Sequence, residues 1–234
     1  MTEKLSNEWE ERFRAVEENY KRICDGIARA AADSSRKPEE ITLLAATKTV
    51  PVEVINHSIA LGISHIGENR VQELCEKYDG YASVDVQFIG HLQTNKVRQI
   101  ISKVSLIQSV DSLHLAQEVS RQAVKAAKQQ DILLEVNIGR EENKSGVLPE
   151  ALPELLEQVA VLPALHIRGL MAIPPADAAK SETIRFFSRM TQYFIDIKNK
   201  SMDNVNMDYL SMGMSADYED AIRAGANMVR VGSA

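Results

Sequence analysis

The sequence carries only two cysteines in 234 residues, Cys24 and Cys75, at no recurring spacing. That is too few for a disulfide framework or a cysteine zinc site, and it fits a reducing compartment. Long apolar runs are missing as well. None reaches the roughly 20 residues that a bilayer-spanning helix needs, and the charged stretch Met1 to Glu11 lacks the apolar centre of a signal peptide. Nor is positive charge in excess. The 27 Lys and Arg against 33 Asp and Glu leave a net charge of -6, which argues against nucleic acid or an anionic membrane as the main partner. The five histidines, His57, His65, His91, His114 and His166, stand at no metal-ligand spacing, so no metal is expected. These absences describe a cytosolic protein with reduced thiols. Linkers, repeats and low-complexity tracts are lacking too, so residues 1–234 are expected to form one domain, with 1–35 as a covering helix and linker.

What remains is 44% hydrophobic and 26% charged, ordinary for a soluble globular chain. The run from Ile41 to Thr49 has no turn residue inside it, the pattern of a strand buried on both faces. It ends in Lys48, and Pro51 stops it from going far. A lysine brought to the end of a strand stands where α/β proteins place chemistry. Withdrawn from water, its pKa would fall and its amine could attack a carbonyl. The plainer alternative is a solvated strand-end charge, which is the commoner fate of such a lysine.

Around that strand, helical and strand-like segments alternate. Trp9, Phe13, Val16, Tyr20, Ile23 and Ile27 put an amphipathic helix over 6–33. Strands are expected at 41–49, 63–67, 86–90, 104–110, 132–138, 165–171, 209–212 and 227–231. Helices are expected at 52–61, 71–78, 94–102, 113–129, 148–161, 181–200 and 216–224. The Phe186 to Ile197 stripe reads as core. Eight strands alternating with helices, in a chain near the usual 250 residues, argue for a (β/α)8 barrel.

In that fold the residues just after each strand share one rim. The rim then offers Lys48, Glu68 with Asn69, His91 with Gln93, Asn137, Met171, Ser211 to Ser215, and Arg230 to Ser233. Loops after the last two strands are the usual phosphate site. Ser215 opens a helix whose first amides could bind an anion, and Gly232 allows close backbone approach. A plain helix cap is an equally good account of Ser215, and Asp217, Glu219 and Asp220 would oppose an anion if they faced it. An amine opposite a phosphate cradle suggests a phosphorylated aldehyde, and pyridoxal 5′-phosphate (PLP) fits. A phosphosugar aldolase or isomerase fits less well, because no acid/base pair stands beside the lysine. The stretch Gly139 to Ser145 lacks the second glycine of a phosphate loop, so an NTPase is not expected, and Lys144 is given no catalytic role.

Several stretches, in order from first strand to last, resemble the pyridoxal phosphate homeostasis protein family, PLP-binding barrels related to the N-terminal domain of alanine racemase. They are Thr42-Leu43-Leu44-Ala45-Ala46-Thr47-Lys48-Thr49, Gly67-Glu68-Asn69-Arg70-Val71-Gln72-Glu73, and Phe88-Ile89-Gly90-His91-Leu92-Gln93-Thr94-Asn95-Lys96. Val136 to Gly146, Arg168 to Pro174, Ser211-Met212-Gly213-Met214-Ser215 and Val229-Arg230-Val231-Gly232-Ser233 complete the set. The resemblance implies PLP fold type III, with Lys48 carrying PLP as a Schiff base. It implies Ser215, Gly232 and Ser233 around the phosphate, Arg230 against the pyridine nitrogen, and Asn69, Ser211 and Met212 lining the pocket. A guanidinium can only donate to that nitrogen, which keeps the ring a poor electron sink. The implied function is non-catalytic: holding PLP and buffering it or delivering it to apo-enzymes, as a monomer or weak dimer. The alternative is an alanine racemase-type enzyme, which needs a second acid/base opposite the lysine. Only Tyr209 and Tyr218 lie near the rim by sequence, and slow racemisation by Lys48 alone would be compatible with either reading. The family usually continues past the last strand with Ile-Phe-Gly and a closing helix, whereas this sequence ends at Ala234. Either the N-terminal helix alone closes the barrel or the end is missing from this sequence, and a lost closing helix would leave the phosphate loop less ordered and PLP binding weaker.

Overall fold

The computed structural model describes residues 2–232, with side chains from residue 9 onward. Helix α1, Thr2–Asp33, leads through a 3-10 turn at Pro38–Glu40 into β1, Thr42–Ala46. Then follow α2 (Val52–Ala60), β2 (His65–Glu68), α3 (Val71–Lys77), β3 (Asp85–Phe88), α4 (Val97–Ile100) and β4 (Leu106–Val110). The second half runs α5 (Leu113–Lys125), β5 (Gln130–Val136), α6 (Leu152–Ala160), β6 (Leu165–Ala172), α7 (Lys180–Lys198), β7 (Val205–Ser211), α8 (Tyr218–Ala224) and β8 (Met228–Val231). The strands pair in sequence order and β1 closes on β8, all parallel, as an eight-stranded barrel.

Alternation along the strands sorts their side chains into two cores. Leu44, Ile89, Leu106, Leu133, Met171 and Met228 fill the barrel interior. The opposite faces, with Leu134, Ile167 and Leu210 among them, pack under the helices, where Phe187 and Met190 of α7 are fully buried. Both faces of most strands are thus covered, which is why those strands read as nearly continuous apolar runs.

Helix α1 covers the outside of the β8–β1 seam. Its inner face buries Ile23, Ile27, Ala30 and Ala31. Phe13 stacks on His57 of α2 with ring centroids 4.3 Å apart, and Glu17 bonds the same imidazole at 3.0 Å. On its other flank Arg29 meets Glu219 of α8 at 3.1 Å, and Asp33 meets Arg223 at 2.9 Å.

Among the boundaries that differ from the periodicity reading, three have plain physical reasons. β1 ends at Ala46, so Lys48 lies beyond the strand, in a turn closed by the bond from Val50 N to Thr47 O at 3.0 Å. The 94–102 segment divides into a 3-10 turn at Thr94–Lys96 and the short α4. β7 begins at Val205, four residues earlier than expected, because Asn206 and Asp208 are exposed partners of His166 and Arg168 on β6 and disguise the strand as loop. Gly169 sits there at φ +148, where the β6–β7 register shifts. His166 is accordingly half-buried and bonded to Asn206.

Candidate functional site at the C-terminal mouth of the barrel

All eight strands end on one rim, and the register of β1 on β8 sets Ala45 beside Val231. Gly232 therefore abuts the end of β1. A Cβ added to it would stand 2.7 Å from Ala46 O and 2.9 Å from Ala46 Cβ, so only glycine fits. Gly232 N donates to Ser215 Oγ at 3.3 Å, which ties the loop after β8 to the loop after β7. Lys48 follows Ala46 by two residues, and Lys48, Ser215 and Gly232 thus share one sector of the rim. Ser233 lies outside the described residues.

Arg230 stands beneath that sector, on the same interior parity as Met228. It is 4% exposed. Its Nη1 donates to Ser211 Oγ and its Nη2 to Ala172 O at 3.0 Å. Ser211 passes the chain on to Gln108 Oε1 at 2.6 Å, and Gln108 donates to Gln87 Oε1 at 2.7 Å. A polar line thus crosses the otherwise apolar barrel from β8 through β7 and β4 to β3. Burial draws the guanidinium pKa down to about 10, against the pull of Glu135 and Asp217, so it remains a cation at neutral pH. The same burial, with Asp111 nearby, pushes the Glu135 carboxyl up to about 7, with Arg230 opposing.

The other expected site residues are placed as follows. Asn69 follows β2 and opens onto a rim groove with Arg70, His91, Gln93 and Lys96. Ser211 is the last residue of β7 and fully buried. Met212 is fully buried too, but its side chain packs in the layer between sheet and helices, which leaves its backbone to the mouth. Lys48 is exposed, and its amine bonds to no other described residue. Of the two readings of Lys48, the solvated one holds, and the fold does not withdraw this amine from water. The turn lifts it clear of the strand, and any desolvation has to come from a ligand.

The loop before α8 also departs from expectation. The helix begins at Tyr218, not Ala216, and the amides of Asp217 and Tyr218 turn back onto Met214 O. Asp217 Oδ1 takes the Met214 N–H at 2.6 Å. Those donors are spent inside the loop. Glu219 and Asp220 are spent as well, on Arg29, Arg223 and Lys180. Neither tyrosine considered as a second base is at the mouth. Tyr209 lies one layer below Ser211, with the Arg168 guanidinium 5.4 Å from its ring, and Tyr218 packs outside the barrel on Gly26 of α1.

Gln87, Gln108 and Glu135 were not singled out by sequence reasoning. Their signal was present: each is a polar residue inside an apolar strand, and a polar residue there must find partners within the barrel.

The alanine racemase N-terminal domain family model matches residues 28–234. The pyridoxal phosphate homeostasis protein of Aquifex aeolicus is 41% identical over 218 residues, 92% of this chain and 95% of that protein. The chain belongs to the pyridoxal phosphate homeostasis proteins. The family member of Pseudomonas aeruginosa is 38% identical over 94% of each chain. Among solved structures, PipY of Synechococcus elongatus with PLP bound superposes with a TM-score of 0.76 at 32% identity, over 88% of this chain and 98% of PipY. An alanine racemase of Clostridium difficile, 19% identical, shares the fold with a TM-score of 0.70 over 83% of this chain and 51% of the enzyme. Like these neighbours, the family's barrel here is of PLP fold type III. No helix among the described residues is long and apolar enough to cross a membrane.

Proposed function

We propose that this chain binds PLP at the mouth of its barrel and serves intracellular PLP homeostasis, by buffering the cofactor or delivering it to apo-enzymes, without a dedicated reaction of its own. The observation that carries this reading is the grouping of an exposed amine, a glycine–serine junction and a buried guanidinium in one sector of the rim. Bound there, PLP would supply an aldehyde carbon open to attack by an amine. Lys48 is the residue that would bond that carbon. Ser215, Gly232 and Ser233 would receive the phosphate, with Asn69, Ser211 and the backbone of Met212 around the ring.

Arg230 fits the pyridine nitrogen for a specific reason. Two of its N–H groups are committed to Ser211 and Ala172, whereas its Nε has no partner among the described residues. A guanidinium that remains charged can donate to the ring nitrogen but cannot accept from it. The ring then stays unprotonated, which suits retention better than carbanion chemistry. Racemisation would need a second acid/base on the far face of a substrate. The positions of Tyr209 and Tyr218 give the racemase reading no support. The names of the curated relatives and the PLP-bound PipY structure agree with the carrier reading.

The test is spectroscopic and functional. Purified protein mixed with PLP should develop a visible absorption band, and Lys48→Ala should lose it. Transfer of PLP to an apo-enzyme faster than spontaneous release would support delivery. Rapid, saturable loss of optical activity of a common amino acid would reject the non-catalytic role. We expect a monomer or weak dimer in solution.

A further inference from the structure

The turn that carries Lys48 is gripped from below by ionic groups that none of the PLP-site roles uses. Glu68, at the end of β2, is fully buried. Its Oε1 accepts three bonds, from Thr47 Oγ1 at 2.7 Å, Tyr81 Oη at 2.8 Å and Lys77 Nζ at 3.1 Å. Lys77, on the last turn of α3, also donates to Thr47 O at 3.0 Å and to Glu73 Oε2 at 3.2 Å. An ammonium has three N–H donors, and all three are used. Glu73 Oε2 then accepts the backbone N–H of Thr49 at 2.8 Å. Lys48 is thus flanked by Thr47 and Thr49, and each neighbour is bonded to this cluster.

The grip holds an unfavourable backbone. Thr49 sits at φ +60, a left-handed conformation that a β-branched residue rarely adopts. In a turn of this kind the position is usually glycine. Left alone, the turn would relax, and Lys48 with it. The Glu73 carboxylate on the Thr49 amide is the contact that opposes relaxation. Lys77 in turn bridges Glu73 to the buried Glu68, and Arg70 stands 3.6 Å from Glu73 as a second cation.

We propose that Lys77, together with Glu73 and Glu68, is a positioning cluster that holds the Thr47–Val50 turn in its left-handed form and so presents the Lys48 amine to an aldehyde. This rests on the reading of Lys48 as the PLP-binding amine, and it adds residues that need not touch the ligand. The cluster can be perturbed without touching Lys48. Glu73→Gln keeps the shape of the side chain and removes its charge. Thr49→Gly removes the backbone penalty that the cluster opposes.

The experiment measures PLP uptake by the full chain from its visible band, with amide hydrogen exchange at Thr49 in the same proteins. In the wild type the Thr49 amide should be protected although the residue is exposed. Glu73→Gln should raise its exchange rate and weaken PLP uptake by about tenfold, which is 1.4 kcal/mol. Thr49→Gly added to Glu73→Gln should restore much of the uptake, a rescue that general destabilisation would not give. Lys77→Met should behave like Glu73→Gln, and if it fails to fold the Glu73 pair decides alone. Unchanged uptake in folded Glu73→Gln overturns the proposal, and so does a weakened uptake that Thr49→Gly does not rescue. If the wild type takes up no PLP, the function fails separately. Exchange then decides the cluster: protection lost in Glu73→Gln supports it, and an unprotected wild-type amide overturns it.

Discussion

Arg230 and Glu135 are two ionisable groups inside one apolar barrel; burial pushes each toward its neutral form, and each opposes that push on the other. Arg230→Ala would strip Ser211 Oγ and Ala172 O of a donor and leave Glu135 without its counter-charge. Buried groups orphaned in this way cost about 1–3 kcal/mol each. Denaturant unfolding of Arg230→Ala should therefore show a loss of about 2–4 kcal/mol. Its PLP retention should fall about tenfold or more, as expected for one charge-assisted bond. Glu135 makes a pH prediction of the opposite sense to most carboxylates. Its folded pKa is about 7, above the ordinary carboxylate value of 4.5, so the native state holds a proton that the unfolded chain has already released. Its contribution to stability is full below pH 4.5 and is lost as pH rises to about 7. The span is about 3 kcal/mol at most. Stability curves measured from pH 4.5 to 8 should fall for this reason in the wild type and lose that component in Glu135→Gln.

At the scale of elements, the β6–β7 seam is the place where one atom matters most. A Cβ on Gly169 would lie within bonding distance of Tyr209 O, and its φ of +148 is closed to other residues. Gly169→Ala should cost about 3 kcal/mol or more, from strain and overpacking together, and should lower the melting temperature without touching the mouth. The order and type of the elements were legible because parallel strands buried on both faces have a plain signature. Their ends were not. Lys48 reads as strand, since no turn residue interrupts Ile41 to Thr49, but the Thr49 conformation is imposed by Glu73, 24 residues on. β7 hides its first half because Asn206 and Asp208 pair across the strand with β6. The site was legible in its outline, namely a lysine after the first strand and glycine and serine after the last two. Its interior was not, because Gln108, Gln87 and Glu135 acquire meaning only when strands far apart in sequence face one another. The expected anion-binding helix start was misplaced for a similar reason: Met214 and Asp217 close the loop on itself.

For the whole molecule, binding and folding should be linked. A ligand that binds only the native state stabilises it by about 2.7 kcal/mol at a hundredfold excess over its Kd. PLP should thus raise the melting temperature of the wild type, with little effect on Lys48→Ala. The barrel contributes closure, one common rim and an interior in which Arg230 stays charged against the cost of burial, with two of its N–H groups bonded. On the proposed function, such a molecule holds a phosphorylated aldehyde by both ends. The most direct measurement of that claim is borohydride reduction of the protein mixed with PLP, followed by peptide mapping. The account predicts that the pyridoxyl group is found on the peptide carrying Lys48. A label on other lysines with Lys48 unmodified would contradict it.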